Sequence, residues 1–483
     1  MNKFFLGLTF IFVTSSTLFS QTTYSLFKVI DQAKNKSISS KAAETRKENL
    51  YWQYRSFKAN YNPSLNLIGS LPEYNRDFFD VRQENGEVLF LSREQISPNL
   101  RLALEQPLWF SGGQISVNTR LSQFNDLERD LTQWNNTLVN VQLVQPIFGF
   151  NQLKWDKKTE PLRYEESKRS YVEEMEFISR RSTELFFTYL DAQINLQIAK
   201  FNLANNDTIY NIEKGRYNIG TTSKDKLLQV ELQLLRSQQD VAQAQLDLQT
   251  SNLSMRSYIG LREAIDISLL LPEELPDFDI ELDKAIGLAE QNRADFIEYE
   301  RLRIEADRNL AQAKAQRFQT NLVASFGYNN AGPSLDETYS RPNSQQRINV
   351  SLNVPIIDWG RSKSRVQTAI ANQQLTQYTI DQQRQNFEQE IITQVSQFDV
   401  LRLQVEITKK SDEVAQERYQ VAQNRYLIGK IDITNLNIAL TEKDNARRSY
   451  INALRNFWIA YFDLRRLTLY DFINNELLYQ QKD

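Results

Sequence analysis

"VQLVQPIFGF" (Val141 to Phe150) and "SLNVPIIDWG" (Ser351 to Gly360) are two versions of one junction. Ahead of Pro355, Ile348, Val350, Leu352 and Val354 alternate with Asn349, Ser351 and Asn353. Ahead of Pro146, Val139, Val141 and Leu143 alternate with Asn140 and Gln142. Such period-2 alternation sets apolar side chains on one face of a strand and amides or hydroxyls on the other. The two prolines stand 209 residues apart, and the same offset carries "GRYNIG" (Gly215 to Gly220) onto "NRYLIG" (Asn424 to Gly429). Spacing kept without a gap between two landmarks fits a rigid rod of fixed length, duplicated within one chain.

Upstream, a second offset of 256 carries Ala33 in "VIDQAKN" onto Ala289 in "IGLAEQN", and Lys58-Ala59 onto Lys314-Ala315. Each half therefore reads helix, strand region, long helix, turn, long helix. Leu65, Leu67, Gly69 and Leu71, and then Leu322, Ala324, Phe326 and Tyr328, supply two more strands. The difference between the offsets is an insertion in the first half, within Leu71 to Thr137. Inside it Leu100, Leu102 and Leu104 alternate, Gly112-Gly113 turns the chain, and Ile115, Val117, Thr119 and Leu121 alternate again, as in a β-hairpin. The expectation is six strands per chain, with Leu71 to Pro98 as a long loop.

Between Gly360 and Gly429 there is no glycine and no proline. A helix of that length would extend roughly 100 Å at 1.5 Å per residue. Its first-half counterpart meets Pro161, which predicts a start or a kink there. The helices returning from the tips carry heptads: Leu227, Leu234, Val241, Leu248 and Met255, beside Val230, Ser237, Ala244, Ser251 and Tyr258. In the second half, Ala439, Ala446, Ala453, Ala460 and Leu467 take the same seam. Heptads with small seam residues predict supercoiled helices in close approach.

The 483 residues include no His and no Cys, which removes imidazole catalysis, thiol nucleophiles and the common zinc sites. No cofactor and no metal are expected, and the acidic pairs Glu165-Glu166 and Glu173-Glu174 read as solvated helix faces. A formal net charge of -3 with interspersed signs gives no reason to expect nucleic acid. Lys3 followed by the apolar run Phe4 to Val13 reads as a secretory signal, cleaved after Ser20. Beyond it no run of ~18 apolar residues exists, so entry into a membrane would have to use a closed β-barrel. The expected divisions are a signal segment (1–20), a first repeat (21–269), a connector (270–279), a second repeat (280–473) and a polar tail (474–483).

These landmarks together resemble the TolC family of outer-membrane efflux proteins, over essentially the whole mature chain. The resemblance implies a mixed α and β fold: a trimeric transmembrane β-barrel continuous with a long periplasmic α-helical barrel, carrying an internal duplication. It implies a passive export duct, not an enzyme, serving a tripartite efflux or type I secretion system. The implied partners are two further copies of the chain, outer-membrane lipid, a periplasmic membrane-fusion adaptor and an inner-membrane pump. Four strands, or six, cannot close a barrel alone, since the smallest single-chain examples have about eight. The alternative function is a periplasmic coiled-coil scaffold capped by a small sheet.

Gly220 and Gly429 read as left-handed C-cap glycines at the two tips. By resemblance these tips are where an adaptor docks, through Tyr217, Ile219, Gly220, Thr221, Tyr426, Ile428, Gly429 and Lys430. Pro146 and Pro355 mark the strand-to-helix junctions, and Trp109, Phe110, Phe148, Phe150 and Trp359 suit an interfacial girdle. The resemblance also places an aspartate six residues after the second tip, to narrow the pore. Here that residue is Asn435, and the nearest acids are Asp432 and Asp225. Asp432 can be read as a pore ring or as a helix cap.

Overall fold

The alternating stretches are strands, and the glycine- and proline-free stretch is one helix, in a computed structural model that describes residues 22–261 and 267–479. The signal segment 1–20 and tail residues 480–483 lie outside the described residues. In chain order come β1 (Thr22–Tyr24), α1 (Leu26–Lys36), α2 (Ile38–Ala59), β2 (Ser64–Ser70), β3 (Tyr74–Arg82) and β4 (Val88–Ile96). Then follow β5 (Asn99–Leu108), β6 (Gly113–Asp126), β7 (Leu131–Pro146), α3 (Gln152–Asn218), α4 (Lys224–Tyr258) and β8 (Ile267–Leu269). The second half supplies α5 (Leu282–Asn292), α6 (Ala294–Ala315), β9 (Gln319–Gly332), β10 (Asn343–Asn353), α7 (Arg361–Leu427) and α8 (Ile433–Thr468).

The helices repeat at the two sequence offsets. α1 and α5 have 11 residues each, α2 and α6 have 22 each, and both pairs are shifted by 256. α3 and α7 have 67 residues each and are shifted by 209, start to start and end to end. The chain nevertheless packs as two compact units that each draw on both halves.

One unit comprises residues Glu44–Tyr171 and Ile286–Glu390 and holds the large sheet. Its strands are antiparallel throughout, in the order β2-β5-β6-β7-β9-β10. The inserted hairpin β5–β6 thus lies within this sheet, between β2 and β7. Leu71 to Pro98 is not a loop, as the sequence suggested, but a second hairpin, β3–β4. It takes over beyond the start of β5, pairing Gln95 and Ile96 with Asp126 and Asn125 of β6. No alternation shows in its sequence, because Asp77 joins Phe79 and Val81 on one face while Phe78 and Asp80 share the other.

Two further expectations change in this unit. α3 begins at Gln152, where Asn151 Oδ1 accepts the Lys154 N–H, and runs through Pro161 rather than starting there. Glu165 and Glu166 are not a freely solvated face but partly buried and ion-paired: Arg301 Nε lies 2.7 Å from Glu166, and Arg169 Nε 3.3 Å from Glu165.

The other unit comprises the described residues up to Ala43 together with Val172–Ala285 and Ile391 onward. The helical hairpins α3–α4 and α7–α8 end here, and β1 pairs in parallel with β8. Its core gathers Leu26, Ile178, Phe186, Phe187, Met255, Phe457, Tyr461 and Phe462, all essentially inaccessible to water. Val230, Ser237 and Ala244 of α4, and Ala439, Ala453, Ala460 and Leu467 of α8, are buried, so the heptad seam is the packed seam. Beneath them Glu176 accepts from Lys34 at 2.7 Å and Arg465 at 2.8 Å, while Asp471 accepts from Arg465 and Tyr461, both at 2.6 Å.

Candidate functional site

The sheet's two faces follow from its register. Leu67, Leu102, Thr119, Val139 and Tyr328 succeed one another across five strands on one face, as do Leu65, Leu104, Val117, Val141 and Phe326. Ile348, Val350 and Leu352 continue that face on β10 and are exposed, Ile348 at 79%. The opposite face carries Asn66, Asn118, Asn140 and Gln345, with Ser116, Gln142, Ser325 and Arg347 on the next level. A bulge at Leu138 shifts the phase of β7, so that beyond it Asn136 lies opposite Leu121. Burying the apolar face in water-excluding surroundings is favourable by about 25 cal/mol per Å², and among the described residues nothing covers it.

Aromatics collect where the strands meet the helices. Trp109 and Phe110 join β5 to β6, Phe148 follows β7, Phe318 precedes β9, and Trp359 follows β10 at 95% exposure. Lys157 Nζ lies 3.6 Å from the centre of the Trp109 ring. Phe150 is half-buried. Pro146 closes β7, whereas Pro355 falls just beyond β10.

The tips lie in the other unit. Gly220 and Gly429 adopt φ of 75° and 73°, the left-handed region expected of them. Each helix ends in the same pair of bonds: Gly220 N–H to Tyr217 O with Thr221 N–H to Arg216 O, and Gly429 N–H to Tyr426 O with Lys430 N–H to Arg425 O. Both turns rest on one core, in which Ile209, Val230, Tyr419, Tyr426, Ile433 and Leu436 pack together. Ile219 and Ile428 protrude from it, and Tyr217, Thr221 and Lys430 are also exposed. Tyr426 departs from the expectation of a contact residue, because it is buried at 3% exposure. Its hydroxyl instead donates to Glu213 of α3 at 2.8 Å.

Glu213 is a site residue that the sequence did not announce. Burial pushes its carboxyl up, but hydrogen bonds from Tyr426, Arg216 and Thr222 outweigh this and hold it below the usual range. The neighbouring Arg216, three residues on, was legible as a helix pair; the partner in the other half was not. Asp432 is the N-cap of α8, accepting from the Asn435 N–H and the Asn435 amide at 2.9 Å each. Asp225 is exposed in the first turn of α4, where Ser223 is the cap. Among the described residues, no cluster could hold a metal ion, and no helix is long and apolar enough to cross a membrane.

A sheet with one apolar and one polar face, carried by a chain of paired long helical hairpins, defines the subunit of an outer-membrane channel. The chain belongs to the outer membrane efflux protein family, whose match spans residues 29–261 and 285–468. It is an efflux channel subunit located in the outer membrane and extending into the periplasm, not a periplasmic scaffold. Among solved structures, it is similar to the CmeC outer membrane channel of Campylobacter jejuni, with a TM-score of 0.68 and 16% identity over 95% of this chain and 87% of that one. It is also similar to CusC, at 0.65 and 17% identity over 92% and 91%. The open-state MtrE outer membrane channel of Neisseria gonorrhoeae aligns at 0.63 and 15% identity over 92% and 88%. No curated protein matches by sequence.

Proposed function

We propose that three copies of this chain pool their sheets into one eighteen-stranded barrel, and their helices into a passive periplasmic duct. The observation that carries this reading is the unburied apolar face across all six strands. The edges support it too. Among the described residues β2 and β10 each lack a partner on one side, and five successive antiparallel pairings make them run in opposite directions. β10 of one copy can therefore meet β2 of the next and keep the alternation all the way round, with no edge left open. Outer-membrane lipid would cover the apolar face, with Trp109, Phe110, Phe148 and Trp359 at its periplasmic boundary.

In this reading the two repeats, 21–269 and 280–473 joined by 270–279, supply quasi-equivalent hairpins. The exposed Ile219 and Ile428, with Tyr217, Thr221 and Lys430 around the glycine turns, receive a periplasmic adaptor that is itself bound to an inner-membrane pump. Asp225, Asp432 and Asn435 lie beside the tips, where a closed duct is narrowest. No chemistry is performed on the cargo.

The chain has no native cysteine, so introduced pairs report cleanly. Single cysteines along β2 combined with single cysteines along β10 should yield a covalent trimer in outer-membrane fractions for at least one register. Monomer alone for every pairing would overturn the barrel.

A further inference from the structure

Arg101 and Arg120 are direct cross-strand partners on β5 and β6, in the hairpin inserted into the first half. Residues so paired have Cβ atoms about 5 Å apart, and like charges there repel. They share the face of Asn66, Asn118 and Asn140, opposite the leucines, and their level continues through Thr137, Asn329 and Asn343. Among the described residues, no side-chain hydrogen bond or ion pair reaches either guanidinium. The acid next along that face of β5, Glu105, is four residues away, roughly 13 Å along a strand. Asp126, towards the other end of β6, is already engaged by the Glu128 and Arg129 N–H groups. Other charged pairs in this unit are compensated, as Arg93 is by Asp77 and Arg301 by Glu166. Nothing in the sheet's own packing requires two uncompensated arginines side by side.

We propose that this pair is an anion-binding belt of the barrel lumen, taking multivalent oxyanions of the phosphate class. The proposal rests on the trimeric barrel reading: three copies would set six guanidiniums at one level of a water-filled wall. Low-dielectric surroundings focus such a field, and arginine rings favour anions in pores. A guanidinium also offers two parallel N–H groups to a phosphate, which a lysine does not. The device lives in the insertion, so it belongs to the two strands added to each chain, and the second half has no counterpart to it.

The test is current block in planar lipid bilayers, with inorganic tripolyphosphate as the probe. Added from the barrel side, it should block the parent channel, and raising KCl should weaken the block steeply. In the double variant Arg101→Gln, Arg120→Gln the blocking concentration should rise at least about tenfold. The pair Arg101→Lys, Arg120→Lys, which keeps the charge but loses the paired N–H groups, should be blocked at a concentration between those of the parent and the Gln variant. Channels that conduct but are blocked equally in parent and Gln variant would overturn the belt while leaving the barrel standing. If the Gln variant fails to assemble, the parent still decides: a conducting channel whose block is absent or indifferent to salt overturns the belt. Failure of the parent to form any channel would overturn the barrel reading, and the belt with it.

Discussion

Tyr426 Oη donates a hydrogen bond to Glu213 Oε1 at 2.8 Å, tying α7 to α3 close to both tips. Burial raises the phenol's pKa, and the Glu213 carboxylate raises it further, so the donor keeps its proton across the physiological range. The Arg216 guanidinium completes the site, 2.7 Å from the same carboxylate oxygen and over the Tyr426 ring. Tyr426→Phe should remove about 2 kcal/mol, the worth of a buried hydrogen bond to a charged group. A double-mutant cycle with Glu213→Gln, read by denaturant unfolding of the detergent-solubilised protein, checks this. Additive losses would show that the two residues are not coupled.

The same pair sets a pH dependence. The folded Glu213 carboxyl lies below its ordinary value of 4.5, so the charged form is favoured by folding. Its stabilisation is complete above the unfolded value and is lost as pH falls through the folded one. Tip stability should therefore hold from neutrality to about pH 5 and decline below it, as followed by hydrogen exchange of the α3 and α7 termini. In Glu213→Gln that decline should be shallower.

Gly429 has φ of 73° with nothing within 4 Å of a Cβ placed on it, so a side chain there meets backbone strain and no clash. Gly429→Val should cost about 1–3 kcal/mol, whereas Gly429→Asn, which tolerates this conformation, should cost less. Both variants should assemble. The proposed docking role adds that Val weakens adaptor-dependent export more than Asn does, measured as cell-survival dose in the presence of a pumped toxin. Equal export in parent, Asn and Val variants would remove the tip from the docking surface.

Arg465 sits between Glu176 and Asp471, and all three are almost fully buried. Replacing it with Met leaves Asp471 without its cation and Glu176 with Lys34 alone. The expected loss is about 3–5 kcal/mol, visible as a lowered unfolding midpoint and reduced trimer yield. A loss below about 1 kcal/mol would mean that water reaches the site.

What could be read beforehand were features with a period or a fixed spacing. The strands at Ile348 to Val354 and Val139 to Leu143 announced themselves by alternation, and the glycine tips by their repeated neighbours. The β5–β6 hairpin was legible because Leu100, Leu102 and Leu104 keep strict phase. β3 and β4 were not, because apolar side chains occur on both faces and no single period survives. Tyr426 misled because its position beside an exposed turn says nothing of which helix face it occupies. Long-range polar partners such as Glu213 with Tyr426, or Glu176 with Arg465, leave no local mark, since each partner looks like an ordinary helix residue.

Asp432 divides two readings of the duct's narrow end. Its carboxylate accepts the Asn435 N–H at 2.9 Å, with extended φ and ψ of -86° and 172°, which is the geometry of a helix N-cap. Asn caps as well as Asp, while Ala does not. Asp432→Asn should therefore leave the unfolding midpoint nearly unchanged, and Asp432→Ala should lower stability by ~1 kcal/mol. A ring of three such carboxylates would also favour cations through a narrow mouth. Reversal potentials under a KCl gradient separate the roles, because Asp432→Asn removes the charge and keeps the cap. The cap geometry, and the second bond from the Asn435 amide, lead us to expect an unchanged reversal potential in Asp432→Asn. A shift towards anion permeability in that variant would put Asp432 on the pore axis.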